Sequence, residues 1–466
     1  MRTPQLNDTI VAIATPVGQG GIGVIRLSGK KSLAIADKMF VGPKKIKPSQ
    51  FQTHTLHFGS IVDRLKSSDE IIDEVLVAVM RAPKSYTGED VVEISGHGGV
   101  VPLRAILKLA INFGARLADP GEFTKRAFLN GRMDLTQAEA VLDIISAKTD
   151  SFLKVSMHQL KGELTAELEA IREILMTLYT HMEAIVNFPE DEVNAADKKQ
   201  LQKQIKDSVS RVEVLLQTGE QGKILKEGIK VVLCGKPNVG KSSLLNVLLK
   251  QPRAIVTSVA GTTRDTIEET AQIKGIPFQL VDTAGILEPR DLVEKEAIKR
   301  SHIYIDNADL ILLILDNSRP FSDDDIALAE KIKDKNVLVI INKCDLAKKI
   351  DETKIKALLD GKPVLKISVL KKTAIGDLED AIVKNVWHGK IQDAPRVMVS
   401  NLRHIESLKN CLSVIKKSEQ SLKDNLPLEL VSEEIKTAVE HLDTITGRHI
   451  DSDLIDKIFS EFCIGK

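Results

Sequence analysis

The segment 235–242 has the composition and spacing of a phosphate-binding loop. It reads Gly-Lys-Pro-Asn-Val-Gly-Lys-Ser, which fits GxxxxGK[ST], and it follows a strand-like run and precedes a helical pattern. Glycines let backbone N–H groups curve around phosphates, and a helix N-terminus adds the positive end of its dipole. We expect Lys241 to reach the β- and γ-phosphates and Ser242 to ligate Mg²⁺. A glycine-rich strand-to-helix turn without a ligand is the alternative that this segment alone leaves open.

Two further tetrapeptides, each after an apolar strand-like run, indicate which nucleotide binds. The first, DTAG, consists of Asp282, Thr283, Ala284 and Gly285. Its acid can support Mg²⁺ and its glycine N–H can meet the γ-phosphate. The second, NKCD, contains Asn342, Lys343 and Asp345. Its carboxylate can accept hydrogen bonds from the ring N–H and exocyclic amine of guanine, a donor pair that adenine lacks. NKCD is therefore called here the guanine motif. The three motifs in this order, called here the G motifs, predict a GTPase domain.

A candidate switch loop lies between the first two motifs. Residues 261–265 read Gly-Thr-Thr-Arg-Asp, and a threonine hydroxyl here can complete Mg²⁺ coordination only while the γ-phosphate is present. A threonine-rich loop without this role is the alternative. Ras-like enzymes place a water-orienting Gln directly after DxxG, but Ile286 stands there in this chain. The charge of the transition state must therefore be met in another way.

The elements before the G motifs are of two kinds. Strand-like runs broken by Gly and Pro lie at residues 10–14, 23–27 and 91–94, and a helical pattern follows at 103–113. From about Phe123 the pattern is helical, with an amphipathic stretch from Leu160 to Ile185 that residues 187–189 should end. Another amphipathic stretch occupies residues 201–216. These patterns predict an α+β unit followed by helices.

The G motifs lie in a third kind of sequence. Buried-strand runs lie at residues 229–234, 278–281, 310–315, 337–341 and 364–367, separated by helical stretches. After about Trp387 helical patterns return. The fold class predicted is therefore multidomain: an α+β N-terminal domain, a helical domain, and a Ras-like P-loop GTPase domain with a mostly parallel sheet inserted into the helical one. The boundaries predicted are residues 1–120, 121–222, 223–387 and 388–466.

Composition excludes several classes of protein. The 466 residues contain 65 Lys+Arg and 65 Asp+Glu, so no bulk field draws the chain to nucleic acid, and any RNA contact must use local basic patches. Four scattered cysteines without CxxC spacing argue against a disulfide framework or a zinc site. The N-terminus lacks a signal-peptide run and no stretch is apolar for long enough to span a bilayer. We therefore expect a cytoplasmic protein that does not associate with a membrane.

The chain resembles the bacterial tRNA-modification GTPase family MnmE, also called TrmE, over essentially its whole length. The most specific segments are residues 8–12, 20–26, 86–90, 96–99, 120–123, 126–131 and the terminal Phe-Cys-Ile-Gly-Lys, 462–466. The resemblance implies a homodimer joined through the N-terminal domains, with GTP and Mg²⁺ bound by the G domain. It implies nucleotide contacts from Asn238, Val239, Gly240, Lys241, Ser242, Ser243, Thr257, Ser258, Val259, Ala260, Gly261, Thr262, Thr263, Asp282, Thr283, Ala284, Gly285, Asn342, Lys343, Asp345 and Ser368.

The family resemblance also supplies a catalytic arrangement. In the family, K⁺ stabilises the transition-state charge where an arginine finger acts elsewhere. The matching K⁺ positions are Asn238, Thr257, Val259 and Thr262, and the Mg²⁺ ligands match Ser242 and Thr263. Glu294 matches an acid that positions water indirectly, although alone it would be interpreted as a solvated helix charge. The catalytic residues implied are Glu294, Thr263 and Lys241. Residues 368–370, Ser-Val-Leu, depart from the usual Ser-Ala-Lys beside guanine, so we expect a weaker contact there, with backbone N–H groups still available to the base.

A second ligand and a partner follow from the same resemblance. The family's N-terminal domain binds a formylated tetrahydrofolate such as 5-formyltetrahydrofolate, and Arg26, Glu93, Arg132 and Lys466 fall on the matching positions. Read without the family, Arg26 and Glu93 are ordinary strand charges. Cys463 is a thiol candidate that could equally be a small packed residue. With the FAD-dependent partner MnmG, the family adds an aminomethyl or carboxymethylaminomethyl group to the wobble uridine of certain tRNAs.

Two other functions compete with this interpretation. A regulatory GTPase for ribosome or RNA assembly would share the G motifs, but it has no reason to carry the N-terminal GGxGxxR segment (residues 20–26) or the terminal Cys-Ile-Gly-Lys. A membrane-active or coiled-coil device is disfavoured by the charged faces of the helices and by their Pro and Gly interruptions.

Overall fold

The structure is a computed structural model that describes residues 8–65, 69–187, 195–249, 268–282, 303–387 and 396–466. The chain forms two compact units. The first consists of Met1–Leu142, Gln159–Glu192 and Asp424–Lys466, and the second of Asp143–His158 and Val193–Lys423. The segments of the second unit are therefore inserted in the sequence of the first. The domain boundaries at residues 120, 222 and 387 stay predictions.

The elements of the described residues are named in chain order. The strands are β1 (Ile10–Ile13), β2 (Gly20–Ser28), β3 (Phe40–Val41), β4 (Thr55–Asp63), β5 (Glu70–Met80), β6 (Val91–Gly98), β7 (Arg116–Leu117), β8 (Ile229–Cys234), β9 (Glu268–Ile273), β10 (Ile276–Asp282), β11 (Leu310–Asp316), β12 (Val337–Asn342) and β13 (Val364–Lys366). The helices are α1 (Ser32–Met39), α2 (Val100–Asn112), α3 (Glu122–Leu129), α4 (Leu135–Ser146), α5 (Asp150–Leu160), α6 (Glu163–Asn187), α7 (Ala195–Gln217), α8 (Gly219–Glu227), α9 (Lys241–Leu249), α10 (Asp323–Ile332), α11 (Glu352–Leu358), α12 (Ile375–Val386), α13 (Leu402–Lys423), α14 (Leu428–Thr446) and α15 (Ser452–Ser460).

The first unit contains one mixed sheet, with its main hydrophobic core on one face and a small cluster of Ile10, Ala12, Ala118 and Phe123 on the other face of β1. Its strand order is β3-β4-β5-β6-β2-β1-β7, and all its pairs are antiparallel except β1 with β7. Alternate residues of β5 (Val75, Val77 and Val79) join a hydrophobic core with residues of α1 and α2. Arg26 and Glu93 are register partners on the opposite face of β2 and β6. This arrangement is the predicted α+β domain.

Two long helices, α6 and α14, pack against each other in the first unit. The residues that α6 buries recur at helical spacing: Leu164, Leu168, Ile171, Leu175, Leu178 and Met182. The predicted start of this helix at Leu160 is wrong, because α5 ends there and Gly162, with a φ of 83°, separates it from α6. In the part of the chain that is described, no helix combines the length and the apolar character needed to cross a membrane.

The second unit is built on a mostly parallel sheet, as predicted. Its order is β13-β12-β11-β8-β10-β9, and each neighbouring pair is parallel except β10 with β9. Every residue of β11 and β12 is buried, because separate hydrophobic clusters cover the two faces of the sheet. Helices α7 and α13 pack against each other in this unit. The predicted fold class is confirmed in both units.

Candidate functional site

The carboxyl ends of the parallel strands place the G motifs along one edge of the second sheet. β8 ends at Cys234 and continues directly into the loop 235–240. Asp282 is the last residue of β10, the parallel neighbour of β8. Asp316 ends β11 and is the register partner of Asn342, which ends β12. In doubly wound folds the crevice at this edge of the sheet binds ligands.

Glycine is required at two positions of the loop 235–240. Gly235 has a φ of 146° and Gly240 a φ of 105°. A Cβ atom at Gly235 would lie 2.3 Å from the carbonyl oxygen of Ile314, and one at Gly240 would lie 2.3 Å from Nδ2 of Asn342. No side chain fits at these distances, so the glycines allow the loop to pass close to β11 and β12.

Lys241 is the first residue of α9 and points its ammonium group into the loop. Its Nζ donates hydrogen bonds to the carbonyl oxygens of Gly235 at 2.8 Å and Lys236 at 2.9 Å. The side chain is buried. Ser242 and Ser243 follow on the first turn of α9 and are exposed, at the helix end where backbone N–H groups lack intrahelical partners. The loop, the lysine and the helix end together form an anion cradle.

Asn342 of the guanine motif joins three loops through one buried side chain. Its Nδ2 donates to the carbonyl oxygen of Val239 at 2.8 Å, and its Oδ1 accepts the N–H of Val369 at 3.1 Å. Both ends of the amide are therefore used inside the protein. The residue holds the phosphate loop and the segment after β13 in place.

Lys343 makes a second connection between the guanine motif and the phosphate loop. Its Nζ donates to the carbonyl oxygen of Asn238 at 2.7 Å and to Oδ2 of Asp316, also at 2.7 Å. Burial raises the pKa of Asp316, but the hydrogen bonds from Lys343 and Ser318 outweigh burial and hold that pKa below its usual value. Asp316 is therefore an anion that fixes Lys343 against the loop.

Asp345 presents an ionised carboxylate beside this edge. Its Oδ1 accepts a hydrogen bond from the hydroxyl of Ser368 at 2.6 Å. That hydrogen bond is the main reason why the pKa of Asp345 lies below its usual value. Ser368 is buried and Asp345 is exposed. A carboxylate offers several lone pairs, so Asp345 can accept further bonds from a purine edge while Ser368 orients it.

The segment after β13 offers one free backbone donor beside Asp345. The N–H of Ser368 bonds to the carbonyl oxygen of Thr373, and that of Val369 bonds to Asn342. Leu370 is 84% exposed, and its N–H makes no hydrogen bond among the described residues. The expectation that backbone N–H groups serve a guanine here thus rests on Leu370.

The remaining residues predicted for the nucleotide site lie outside the described residues. They are the switch-loop positions Thr257, Ser258, Val259, Ala260, Gly261, Thr262 and Thr263, the DTAG positions Thr283, Ala284 and Gly285, and Glu294. For Asp282 the backbone is described and the side chain is not. Their roles stay predictions.

A second group of predicted residues meets on the face of the N-terminal sheet opposite its main core. Nε of Arg26 donates to Oε1 of Glu93 at 2.7 Å, and Nη1 donates to the carbonyl oxygen of Gly465 at 3.2 Å. The guanidinium carbon lies 5.3 Å from the ring centre of Tyr86 and 5.7 Å from that of Phe123. A carboxylate, a backbone carbonyl and two aromatic rings therefore hold this arginine.

The C-terminal residues and Arg132 lie around the same aromatic pair. The backbone N–H of Phe123 donates to the carbonyl oxygen of Lys466 at 3.2 Å. The guanidinium carbon of Arg132 lies 5.5 Å from the ring centre of Tyr86. Cys463 is exposed. The structure thus brings together the four residues predicted for the second ligand, Arg26, Glu93, Arg132 and Lys466.

Both groups of residues fit the ligands that the sequence suggests. The exposed hydroxyl of Ser242 at the N-terminus of α9 suits Mg²⁺, and the exposed amide of Asn238 suits K⁺. In the second group, Glu93 can accept bonds from an amino-substituted heterocycle and Arg132 can bind a carboxylate, while Tyr86 offers a ring face. Among the described residues no cluster of His, Cys, Asp and Glu has the arrangement of a further metal site.

Sequence reasoning missed three side chains of these groups. Asp316 fixes Lys343, and its signal was an acid at the end of a strand in line with the other motifs. Tyr86 and Phe123 flank Arg26, and both lie in segments that carry the family resemblance. Aromatic residues make up only 3% of the chain, so two of them near family-like motifs were a usable signal.

Comparison with protein families gives two matches that together span most of the chain. Residues 9–132 match the family model described as the GTP-binding protein TrmE N-terminus. Residues 135–463 match the model described as the MnmE helical domain.

Known proteins resemble this chain over its whole length. The tRNA modification GTPase MnmE of Bacillus subtilis (strain 168) is 45% identical over 460 residues, which are 98% of this chain and 100% of that protein. MnmE of Alkaliphilus metalliredigens (strain QYMF) is 45% identical over 461 residues, 99% of this chain and 100% of that protein. Among solved structures, the G domain of the T. maritima FeoB iron transporter is 30% identical, with a TM-score of 0.27, and covers 34% of this chain and 98% of that chain. A TM-score this low supports no argument about function.

Proposed function

The chain belongs to the MnmE/TrmE family of tRNA modification GTPases, and from that premise we propose a K⁺-dependent GTP hydrolase that modifies wobble uridines. Family membership makes it a GTPase that acts in tRNA modification. Together with the FAD-dependent partner MnmG, the homodimer adds an aminomethyl or carboxymethylaminomethyl group to certain tRNAs. The observation that carries the proposal is the pair of bonds from Asn342 and Lys343 to the phosphate loop, since it couples base recognition to phosphate binding.

The described residues divide the work of GTP binding. Asp345, oriented by Ser368, accepts the two donors of the guanine edge. Lys241 exchanges its two bonds to loop carbonyls for the β- and γ-phosphate oxygens, and the N–H groups of the loop and α9 complete the cradle. Asn342 and Lys343 keep the loop carbonyls turned inward, so that its N–H groups stay available to phosphate.

The cations and the water-positioning acid complete the hydrolytic site. Ser242 and Thr263 would hold Mg²⁺. Mg²⁺ and, in place of an arginine finger, K⁺ would supply positive charge beside the phosphates. The oxygen donors assigned to K⁺ are Asn238, Thr257, Val259 and Thr262. Glu294 positions the attacking water indirectly, because Ile286 cannot.

The N-terminal sheet binds the one-carbon donor, a formylated tetrahydrofolate. Glu93 accepts hydrogen bonds from the amino-pterin edge, and Arg26, Arg132 and Lys466 provide cations for its carboxylates. The guanidinium groups of Arg26 and Arg132 both lie against the ring of Tyr86. The proximity of these residues within the first unit supports the proposal.

Analysis of tRNA nucleosides tests the function as a whole. In a bacterial strain that lacks its own family member, the wild-type chain should restore the modified wobble uridine, measured by mass spectrometry. Lys241→Ala should fail to restore it. Failure of the wild-type chain, with GTP hydrolysis intact, would contradict the tRNA assignment and favour a regulatory GTPase of RNA assembly. Full restoration by Lys241→Ala would contradict a requirement for GTP hydrolysis.

A further inference from the structure

The long helices of the protein divide into an acidic pair and a basic pair. The acidic pair, α6 and α14, contains Glu163, Glu167, Glu169, Glu173, Glu183, Glu429, Glu433, Glu434, Glu440 and Asp443 against Arg172 and Lys436. The basic pair, α7 and α13, contains Lys198, Lys199, Lys203, Lys206, Arg211, Arg403, Lys409, Lys416, Lys417 and Lys423 against Asp197, Asp207, Glu213, Glu406 and Glu419. Because the formal net charge of the whole chain is zero, the basic pair carries a local excess of positive charge.

Three lysines of α7 form one exposed row, called here the lysine stripe: Lys199, Lys203 and Lys206. They are spaced i, i+4 and i+7 and therefore lie on one side of the helix. The buried residues of α7, Leu201, Ile205, Ser208, Val212 and Leu215, repeat with the same spacing on the opposite side. The stripe thus points away from the surface that packs on α13.

No side chain in the described part of the chain neutralises the charges of the stripe. None of its three lysines has an ion-pair or hydrogen-bond partner there. Other lysines of the basic pair are paired, as Lys416 with Glu213 at 2.7 Å and Lys423 with Glu419 at 2.7 Å. The stripe therefore remains available to an external anion.

We propose that the lysine stripe forms a docking surface for the phosphate backbone of tRNA. The inference rests on the proposed function, which makes tRNA a partner of the chain without assigning where it binds. The stripe spans about 10 Å along α7, over which one strand of a duplex carries roughly three phosphates. Neither helix of the basic pair contains Phe, Tyr or Trp, so the contact is to phosphates and carries no base stacking. The acidic pair repels RNA and so restricts binding to the basic pair.

Binding of fluorescently labelled tRNA to the full-length protein tests this surface. The variant carries Lys199→Gln, Lys203→Gln and Lys206→Gln together. The matched control removes the same charge from exposed lysines elsewhere in the second unit, with Lys333→Gln, Lys354→Gln and Lys356→Gln. Anisotropy is measured between about 50 and 200 mM salt, and GTP turnover checks that each variant is folded.

The stripe variant should bind tRNA roughly tenfold more weakly at the lowest salt, with a log K against log salt slope reduced by about 2 to 3. The control should keep the affinity and slope of the wild type. Unchanged affinity and slope in the stripe variant would overturn the inference while leaving the proposed function intact. Absence of tRNA binding by the wild type would overturn it together with the tRNA part of that function. Displacement of tRNA by polyglutamate as effectively as by unlabelled tRNA would assign the surface to an acidic protein instead.

Discussion

The side-chain amide of Asn342 donates to the carbonyl oxygen of Val239 at 2.8 Å, and this bond joins the guanine motif to the phosphate loop. The same side chain accepts the N–H of Val369, so one residue fixes the loops that follow β8, β12 and β13. Loss of one such contact should therefore weaken binding of the phosphates as well as binding of the base. Nucleotide affinity is thus expected to depend on all the loops at this edge of the sheet.

Asn342→Ala should weaken GTP binding at least tenfold and lower stability. The change leaves the carbonyl oxygen of Val239 and the N–H of Val369 buried without their partner, which costs about 3 kcal/mol in unfolding free energy. Asn336→Ala is the control, since that amide bonds to the carbonyl oxygen of Asp309 at the opposite edge of the sheet. Titration with a fluorescent GTP analogue and urea unfolding measure the two effects. Equal GTP affinity in both variants would contradict the role of Asn342.

Gly240→Ala should abolish detectable nucleotide binding. The added Cβ atom would lie 2.3 Å from Nδ2 of Asn342, and the φ of 105° is unfavourable for alanine. Gly376→Ala is the matched control, because a Cβ atom there meets no atom within 4 Å in α12. The control should bind GTP normally and gain up to about 1 kcal/mol in stability. Calorimetric GTP titration distinguishes them, and normal binding by Gly240→Ala would show that the loop can move to accept it.

Asp345→Asn should shift base preference from guanine toward xanthine. The carboxylate accepts hydrogen bonds from guanine, whereas the amide can donate to the carbonyl of xanthine. The pKa of Asp345 lies below its usual value, so the wild-type side chain is ionised at neutral pH. Competition between GTP and XTP for the protein measures the preference. If the variant keeps the wild-type preference for GTP, Asp345 does not contact the base, and guanine must bind elsewhere on the protein.

Much of the nucleotide site could be predicted from the sequence because its elements are local. The loop 235–240, the strand before it and the NKCD tetrapeptide each occupy a few consecutive residues, and parallel strands bring their ends together. The β4–β5 hairpin was missed, since Leu56 and Phe58 are exposed and Gly59 interrupts the pattern. The bond from Arg26 to Gly465 joins residues 439 positions apart, and no periodicity reveals such a contact.

Acid should destabilise the first unit through the ion pairs of Arg116 and Arg126. Arg116 donates to Asp8 at 2.6 Å, and Arg126 donates to Glu122 at 3.0 Å. Burial raises both carboxyl pKa values, but the arginine hydrogen bonds outweigh burial and leave them below 3.8 for Asp8 and 4.5 for Glu122. Their stabilisation is therefore complete above about pH 5 and is lost as pH falls through the lower, folded-state values.

Glu122→Gln isolates this effect. It should lower the unfolding free energy by about 3 kcal/mol at pH 7, because it leaves the buried guanidinium group of Arg126 and the partly exposed one of Arg116 with one carboxylate fewer. Between pH 5 and 3, the further decrease in the unfolding free energy of this variant should be smaller than that of the wild type. Glu461→Gln, at an exposed carboxylate, is the control and should follow the wild type. Urea unfolding at several pH values measures the curves, and parallel curves for Glu122→Gln and wild type would contradict the prediction.

Arg26→Gln should remove most of the affinity for 5-formyltetrahydrofolate. The guanidinium bonds to Glu93 and lies against Tyr86 and Phe123, so its loss removes a cation and disorganises the carboxylate beside it. Arg104→Gln, on the exposed side of α2, changes the same charge and should leave the affinity unchanged. Calorimetric folate titration compares them. Equal affinities would refute the assignment of the ligand to this face.

The rate of GTP hydrolysis in K⁺ and in Na⁺, at equal ionic strength and saturating Mg²⁺, tests the central claim most directly. If K⁺ supplies the charge that an arginine finger supplies in other GTPases, the purified wild-type protein should turn over GTP at least tenfold faster in K⁺. GTP affinity should be similar in the two salts, because Lys241, the N-terminus of α9 and Asp345 bind GTP without that ion. Equal turnover in K⁺ and Na⁺ would contradict the proposed mechanism.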